Sequence, residues 1–243
     1  MTQNNNFNKL FPRKAIIGMI HLAGKDRDER VCRALEELRI YEEEGIDGAI
    51  IEDYHGNEGD VLETLKQSST QNFRIVRGVN LLRDPYSAFD MTSKFGGRFV
   101  QFDSVQTPEL DLERYELKRR TFPEILVFGG VGFKYTRPTG NPLELDLEEG
   151  KSRCDAIVTT GDGTGIETPI DKLRKFQGTL RDFPLIVGAG VTLDNAYMQL
   201  SVTDGAIVGS YFKPNGNTHF PIERRKVRDL VSMVRKIEGS KFT

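Results

Sequence analysis

The chain has 243 residues, 37% hydrophobic and 29% charged, with a formal net charge of −2. That balance offers no basic field for nucleic acid, and no apolar run approaches the roughly 18 residues of a membrane span. The length matches one (β/α)8 barrel of about 250 residues and is enough to bury a sizeable core.

No change of composition marks a linker, so residues 1–243 read as one domain, with 1–13 as a polar N-terminal extension. That extension, MTQNNNFNKLFPR, has no signal-peptide core. Cys32 and Cys154 fall in helix-like settings without metal-ligand spacing. They read as packed free thiols in a reducing, cytoplasmic compartment.

Eight strand-like runs begin near Ala15, Asp47, Arg74, Arg98, Ile125, Ala156, Leu185 and Gly205, each with room for a helix after it. Such alternation predicts a parallel sheet, and an eighth strand with its own final helix predicts closure into a barrel. The first run, Ala15–Ile20, ends at His21. Val31, Ala34, Leu35 and Leu38 then recur with helical spacing, and Gly45 stands where a helix C-cap belongs. The second run ends at Glu52-Asp53, and Asp60–Gln67 reads as a helix. The third, from Arg74, ends at Asn80, and Asp84-Pro85 opens a helix. The fourth ends at Asp103 and precedes a charged helix over Leu112–Arg120. The fifth, from Ile125, leads through glycines to Lys134, where Pro138 and further glycines break any pattern.

The sixth run, Ala156–Thr160, enters Gly161-Asp162-Gly163-Thr164-Gly165, whose spacing is not that of a dinucleotide-binding turn. Leu185-Ile186-Val187 stops at Gly188-Ala189-Gly190, and Thr192 or Asp194 is placed to cap the next helix. Ala206-Ile207-Val208 stops at Gly209-Ser210. The last helix carries Val227, Leu230, Val231 and Val234 on one stripe, with its basic residues on a solvated face.

In a closed barrel the strand ends converge on the face that holds active sites in this fold. His21, Glu52, Asn80, Asp103, Lys134 and Asp162 all fall there. Each also has a plain structural reading, as helix cap, core histidine, surface lysine or turn residue. Read together, they make Glu52 and Asp103 a candidate acid–base pair. His21 shares that role or polarises a carbonyl, and Lys134 stabilises an oxyanion or forms a Schiff base. Asn80, Asp162 and Thr164 are candidates for holding substrate. Gly188, Gly190, Gly209 and Ser210, in two turns at one sheet edge, are candidates for binding phosphate through backbone N–H groups. Oxygen-rich Glu52, Asp103 and His21 also suit a divalent cation by type, but no spacing supports one, so neither metal nor cofactor is expected.

Several stretches resemble one family. They are IIGMIHLAG at 16–24, GIDGAIIEDY at 45–54, RGVNLLRDPYSA at 77–88, DAIVTTGDGTG at 155–165 and VGAGVTLDNAYMQLSVTDGAIVGSYFKPNG at 187–216. In that order they resemble the BtpA/SgcQ family. The resemblance implies a TIM barrel akin to phosphate-binding barrels. It links cyanobacterial members to photosystem I biogenesis or stability and others to sugar-uptake genes. It also implies functional positions at His21, Glu52, Asn80, Asp84, Lys134, Gly161, Thr164, Gly165, Gly188, Gly190, Gly209 and Lys213. The chain departs from the family pattern at Asp53, Arg83, Gln101, Asp103 and Tyr135, where Asn, Asn, Arg, Asn and His are usual.

Two functions are therefore expected, in order. The first is an isomerase, epimerase or lyase acting on a small phosphorylated sugar or related metabolite. The second is a non-catalytic assembly or stability factor. The expected partner is a small phosphorylated metabolite, without nucleic acid or a transmembrane segment, and a homo-oligomer is left open.

Overall fold

The computed structural model describes residues 6–240, so residues 1–5 of the extension and 241–243 lie outside it. A five-residue helix, α1 (Asn6–Leu10), comes first. Then follow β1 (Ala15–Ile20), α2 (Arg27–Glu43), β2 (Gly48–Glu52), α3 (Glu58–Ser69), β3 (Val76–Asn80) and α4 (Ser87–Lys94). The next elements are β4 (Phe99–Phe102), α5 (Leu112–Thr121), β5 (Leu126–Gly130), α6 (Leu143–Arg153), β6 (Ala156–Thr159) and α7 (Ile170–Leu180). The chain ends with β7 (Leu185–Val187), α8 (Ala196–Leu200), β8 (Gly205–Val208) and α9 (Arg224–Ser240). Each strand pairs in parallel with the next, and β8 pairs with β1 from Ala15↔Gly205 to Gly18↔Val208. The expected (β/α)8 barrel is thus formed.

The pleat sorts side chains into two cores. Ile16, Ile20, Ala49, Ile51, Val79, Val100 and Val127 pack outward against the helices. Ile17, Met19, Ile50, Phe99, Phe128, Ile186 and Ile207 point inward. Close approach fixes two glycines. A Cβ on Gly18 would lie 2.4 Å from the Tyr41 ring, whose hydroxyl donates to the Met19 carbonyl at 2.9 Å. A Cβ on Gly78 would lie 2.3 Å from the Phe99 ring.

Local signals set most helix ends. Asp26 accepts from the Glu29 N–H, Asn57 and Asp60 form a capping box, and Asp111 accepts from the Arg114 N–H. Gly45, at φ +82°, ends α2 as expected.

Several expectations are corrected. Within the polar extension, Phe7 and Phe11 enter the barrel floor beside Phe99 and Phe128. Phe7 lies 5.7 Å from Phe128, Phe11 lies 6.1 Å from Phe99, and Phe99 and Phe128 stack at 4.3 Å. Strand β3 starts at Val76 rather than Arg74, the residues before it being held by Glu42, which accepts from the N–H groups of Arg74 and Ile75. Helix α8 starts at Ala196, and neither Thr192 nor Asp194 caps it. Instead the Asn195 side chain accepts from the Thr192 N–H. Cys154 is buried, whereas Cys32 is exposed on α2. The basic face of α9 is not merely solvated, since Arg224 and Arg228 pair with Glu44 and Arg235 pairs with Asp47.

The aromatic floor predicts a large effect from a residue outside the barrel strands. Phe7→Ala should cost about 3–5 kcal/mol by urea denaturation, the usual loss for an emptied aromatic site. An effect under about 1 kcal/mol would show that the floor closes without it.

Candidate functional site

Counting inward along each strand places the site. Two residues past the inward-facing Met19 comes His21. Two past Ile50 comes Glu52, and two past Gly78 comes Asn80. Two past Gln101 comes Asp103. Two past Ile186 and Ile207 come Gly188 and Gly209. The same period that fills the barrel with apolar layers therefore presents acids, a histidine, an amide and two glycines at its mouth. A cavity of about 700 Å³ opens there.

The acidic cluster is joined by one amide. Asn80 Nδ2 donates to Glu52 Oε1 at 2.9 Å and to Asp103 Oδ1 at 3.1 Å. Gln101 Nε2 donates to the same Asp103 oxygen at 3.1 Å. Burial pushes the Glu52 carboxyl up to about 8, and the neighbouring Asp103 charge pushes in the same direction. Lys134 and the Asn80 hydrogen bond oppose that rise. Asp103 is also raised by burial, with Lys134, Gln101 and Asn80 pulling it back. Glu52 therefore keeps its proton near neutral pH more readily than Asp103, which holds two hydrogen bonds to one oxygen.

His21 is buried and held neutral. Burial lowers it to about 3, and Lys213, His55 and Lys134 push it further the same way. Its Nδ1 has no hydrogen-bond partner among the described residues. Lys213 is itself buried and pairs with Glu37 at 2.5 Å behind the site. The other two histidines lie close by. The His55 ring stacks on His219 at 3.8 Å, and His55 Nε2 meets Thr218 Oγ1 at 2.8 Å. That contact carries the segment after β8 over the mouth, so that Gly216, Asn217 and Thr218 also line the cavity.

Lys134 lines the cavity, its ammonium 4.5 Å from the Phe133 ring centre. Its backbone N–H donates to Thr160 Oγ1 at 2.6 Å. Thr164 lines the cavity too, and its N–H donates to the Tyr135 hydroxyl at 3.1 Å. Asn80 sits just beneath the cavity, bridging the acids rather than lining it. Asp162 is exposed and off the cavity, and its charge acts on Lys172. It lies three residues beyond the end of β6, past the point where strand parity still fixes direction.

The two glycine turns are both present on the cavity wall. The N–H of Gly188 is already engaged, donating to the Thr159 carbonyl at 2.8 Å. Those of Gly190, Gly209 and Ser210 have no protein acceptor among the described residues. Packing also explains the glycines. A Cβ on Gly209 would lie 2.7 Å from His21 Cε1, and one on Gly190 would lie 2.3 Å from the Ile166 carbonyl.

Sequence reasoning missed Lys226 of α9, which lines the cavity and donates from Nζ to the Lys213 carbonyl at 2.9 Å. Its place off the apolar stripe of α9 was the available signal. Gln101 was visible only as a departure from a family pattern, although it shares the inward face of β4 with Asp103.

The buried charges set a pH profile for stability. Glu52 has a folded value near 8 against an ordinary 4.5, so the folded chain holds a proton the unfolded chain releases. Stability from this group declines as pH rises from about 4.5 through 8. His21 acts at the other end, its folded value near 3 against 6.5 making stability fall as pH drops below about 6.5. Glu52→Gln should flatten the alkaline decline in Tm between pH 6 and 9 and leave the acid limb intact. An unchanged alkaline limb would show that Glu52 is not the buried acid.

The comparisons fit this architecture. A 29% identical protein of Archaeoglobus fulgidus, described as uncharacterized, aligns over 88% of this chain and 98% of its own length. The putative sgc region protein SgcQ of Escherichia coli is 24% identical over 68% of this chain and 66% of its own length. Among solved structures, thiamine phosphate pyrophosphorylase from Pyrococcus furiosus superposes with a TM-score of 0.67. It shares 16% identity and covers 95% of this chain and 99% of its own. At that identity the likeness concerns the fold. The BtpA family model matches residues 12–236, and the chain belongs to the BtpA family.

Proposed function

We propose that the protein is an enzyme that moves a proton between neighbouring atoms of a small phosphorylated sugar. The observation that carries this reading is the pair Glu52 and Asp103 on the cavity wall, joined from beneath by Asn80. Burying two carboxyl groups a single amide apart costs stability, and among the described residues neither of them holds a helix or loop in place. A site that needs one protonated and one ionised carboxyl accounts for that cost.

In this reading Asp103 takes a proton from carbon next to the substrate carbonyl. The C–H electrons form a carbon–carbon double bond, and the carbonyl electrons move to oxygen, which receives the Glu52 proton. Asp103 then gives its proton to the neighbouring, former carbonyl carbon, while the hydroxyl on the first carbon returns a proton to the Glu52 carboxylate. A carbonyl forms on the first carbon and both acids are restored, which completes an isomerisation. Neutral His21 suits hydrogen bonding to the carbonyl without competing for the proton. Lys134, near both acids, offsets charge on the developing enediolate. The free N–H groups of Gly190, Gly209 and Ser210 take the phosphate, which orients the reacting carbons. The Pyrococcus furiosus barrel is by its name a thiamine phosphate pyrophosphorylase, which agrees with a phosphate at this mouth as an analogy of architecture only.

Two measurements test the reading. Thermal-shift screening with sugar phosphates should find a stabilising ligand, and turnover of that ligand should fall by about 10² or more in Glu52→Gln. Ligand affinity should stay close to that of the parent. Unchanged turnover would move the acid role away from Glu52. For the phosphate, Ser210→Asp is the better probe than a change at Gly209, because any side chain at Gly209 strikes His21. Ser210→Asp should abolish stabilisation by sugar phosphates, and stabilisation that survives it removes the phosphate assignment.

A further inference from the structure

The interior of a barrel of this kind fills in layers of four, with the members of each layer taken from alternate strands. Ile50, Gln101, Val158 and Ile207, on β2, β4, β6 and β8, form the layer beneath Glu52, Asp103 and Gly209. Three of the four belong to the apolar interior. Gln101 is the polar member, and it is only 3% exposed. The cavity reaches down to this level, because Met19, Gln101 and Ile207 line it. Gly188 and Gly209, on the wall above, put no side chain in the way.

The Gln101 amide is half used. Its Nε2 donates to Asp103 Oδ1 at 3.1 Å, whereas Oε1 is buried with no hydrogen-bond partner among the described residues. Turning the amide over would set two oxygens against each other, so the carbonyl end is the free one. A buried acceptor without a donor destabilises a folded chain, and a ligand that brings the donor offsets that cost.

What satisfies Oε1 must donate a hydrogen bond and tolerate Met19 and Ile207, which share the cavity floor with it. A charged group meets such a floor at high cost. An ammonium would also pair with Asp103 and hold it back from acting as a base. A hydroxyl on a CH2 group meets both conditions. Asp103 stands two residues beyond Gln101 on the same inward face, so the carbon bearing that hydroxyl lies beside the base. In a closed ring of eight, β4 stands opposite β8, where one glycine turn begins. Floor and turns are thus placed to hold the two ends of one ligand.

We propose that the ligand is an open-chain ketose phosphate whose terminal hydroxymethyl group donates to Gln101 Oε1. This rests on the phosphate reading above. C1, which carries that hydroxyl, is the first carbon of the isomerisation, and C2 is its carbonyl carbon. Asp103 takes the proton from C1, Glu52 serves the C2 oxygen, and the product is the aldose phosphate.

Calorimetry on the full chain with xylulose 5-phosphate, 1-deoxyxylulose 5-phosphate and inorganic phosphate tests it. In both sugars the phosphate occupies the hydroxyl that a five-membered ring would need, so the chain stays open. The second sugar lacks only the terminal hydroxyl. Xylulose 5-phosphate should bind at least about tenfold tighter, because the 1-deoxy compound leaves a buried acceptor unmet. Gln101→Met keeps the length of the side chain and should abolish that preference, whatever common weakening it causes through Asp103. Equal binding of the two sugars to the parent overturns the proposal without need of a variant, and leaves the phosphate reading standing. So does a Gln101→Met chain that weakens both sugars and keeps the preference, which reduces Gln101 to a support for Asp103. If inorganic phosphate binds and neither sugar does, the proposal falls by itself. If none of the three binds, both readings fall.

Discussion

Everything at the mouth depends on the filling of the barrel beneath it. A closed eight-stranded sheet has an interior that side chains must occupy in layers. Here the lower layers are strongly aromatic, with Phe99 and Phe128 stacked and with Phe7 of the N-terminal helix and Phe11 just after it packed beside them. Met19, Ile50, Val158, Ile186 and Ile207 complete the packing. That dry platform is what desolvates the residues one pleat higher. Glu52 and His21 reach the cavity wall yet are almost wholly buried. They rest on a hydrocarbon surface that resists charge on either one.

From this follows the electrostatic division at the site. Glu52 and His21 are both pushed toward neutrality, one by keeping a proton and the other by refusing it. Lys213 reinforces the effect on His21 from behind, where its ammonium is balanced by Glu37. Asn80 then separates the two acids with a donor to each. An amide with two N–H groups is the smallest side chain that can hold two carboxyl oxygens at once. A leucine of similar size there would leave Glu52 Oε1 without a donor and Asp103 Oδ1 with Gln101 alone, so Asn80 is what joins the two acids.

The legible part of the sequence was the part governed by period two. Apolar runs such as Ala15–Ile20 and Gly48–Ile51 declare buried strands, and the first polar residue after each run lands at the mouth. His21, Glu52, Asn80 and Asp103 were found in this way. Asp162 falls off the cavity because it lies three residues past the end of β6, and parity is lost once the ladder ends. Phe7 and Phe11 were hidden by the polar residues around them, since a lone aromatic in a polar segment gives no periodic signal. The engaged N–H of Gly188 could not be foreseen, because that needs the register of β7 against β6, which places it opposite the Thr159 carbonyl. Lys226 comes from the last helix, and only the closing of the barrel brings it to the rim.

The two sides of the mouth are built differently, and the difference bears on what each can do. On the β6–β8 side the loops clasp one another. Gly190 presses on the backbone of Ile166 and Glu167, and Gly165 would place a Cβ 3.3 Å from Ser210. Lys172 ties the Gly132 and Thr160 carbonyls together at 2.6 Å each. Such mutual contact fixes the backbone around Gly190, Gly209 and Ser210, as the proposed anion site would require. On the β2 side the closure is the stack of His55 on His219, the His55–Thr218 hydrogen bond and the donation of Arg33 Nη1 to the His219 carbonyl at 2.7 Å. Few contacts there mean a low local cost of opening. In the proposed reaction the rigid side would hold the phosphate, the lightly held side would let substrate in and out, and the acids lie between them.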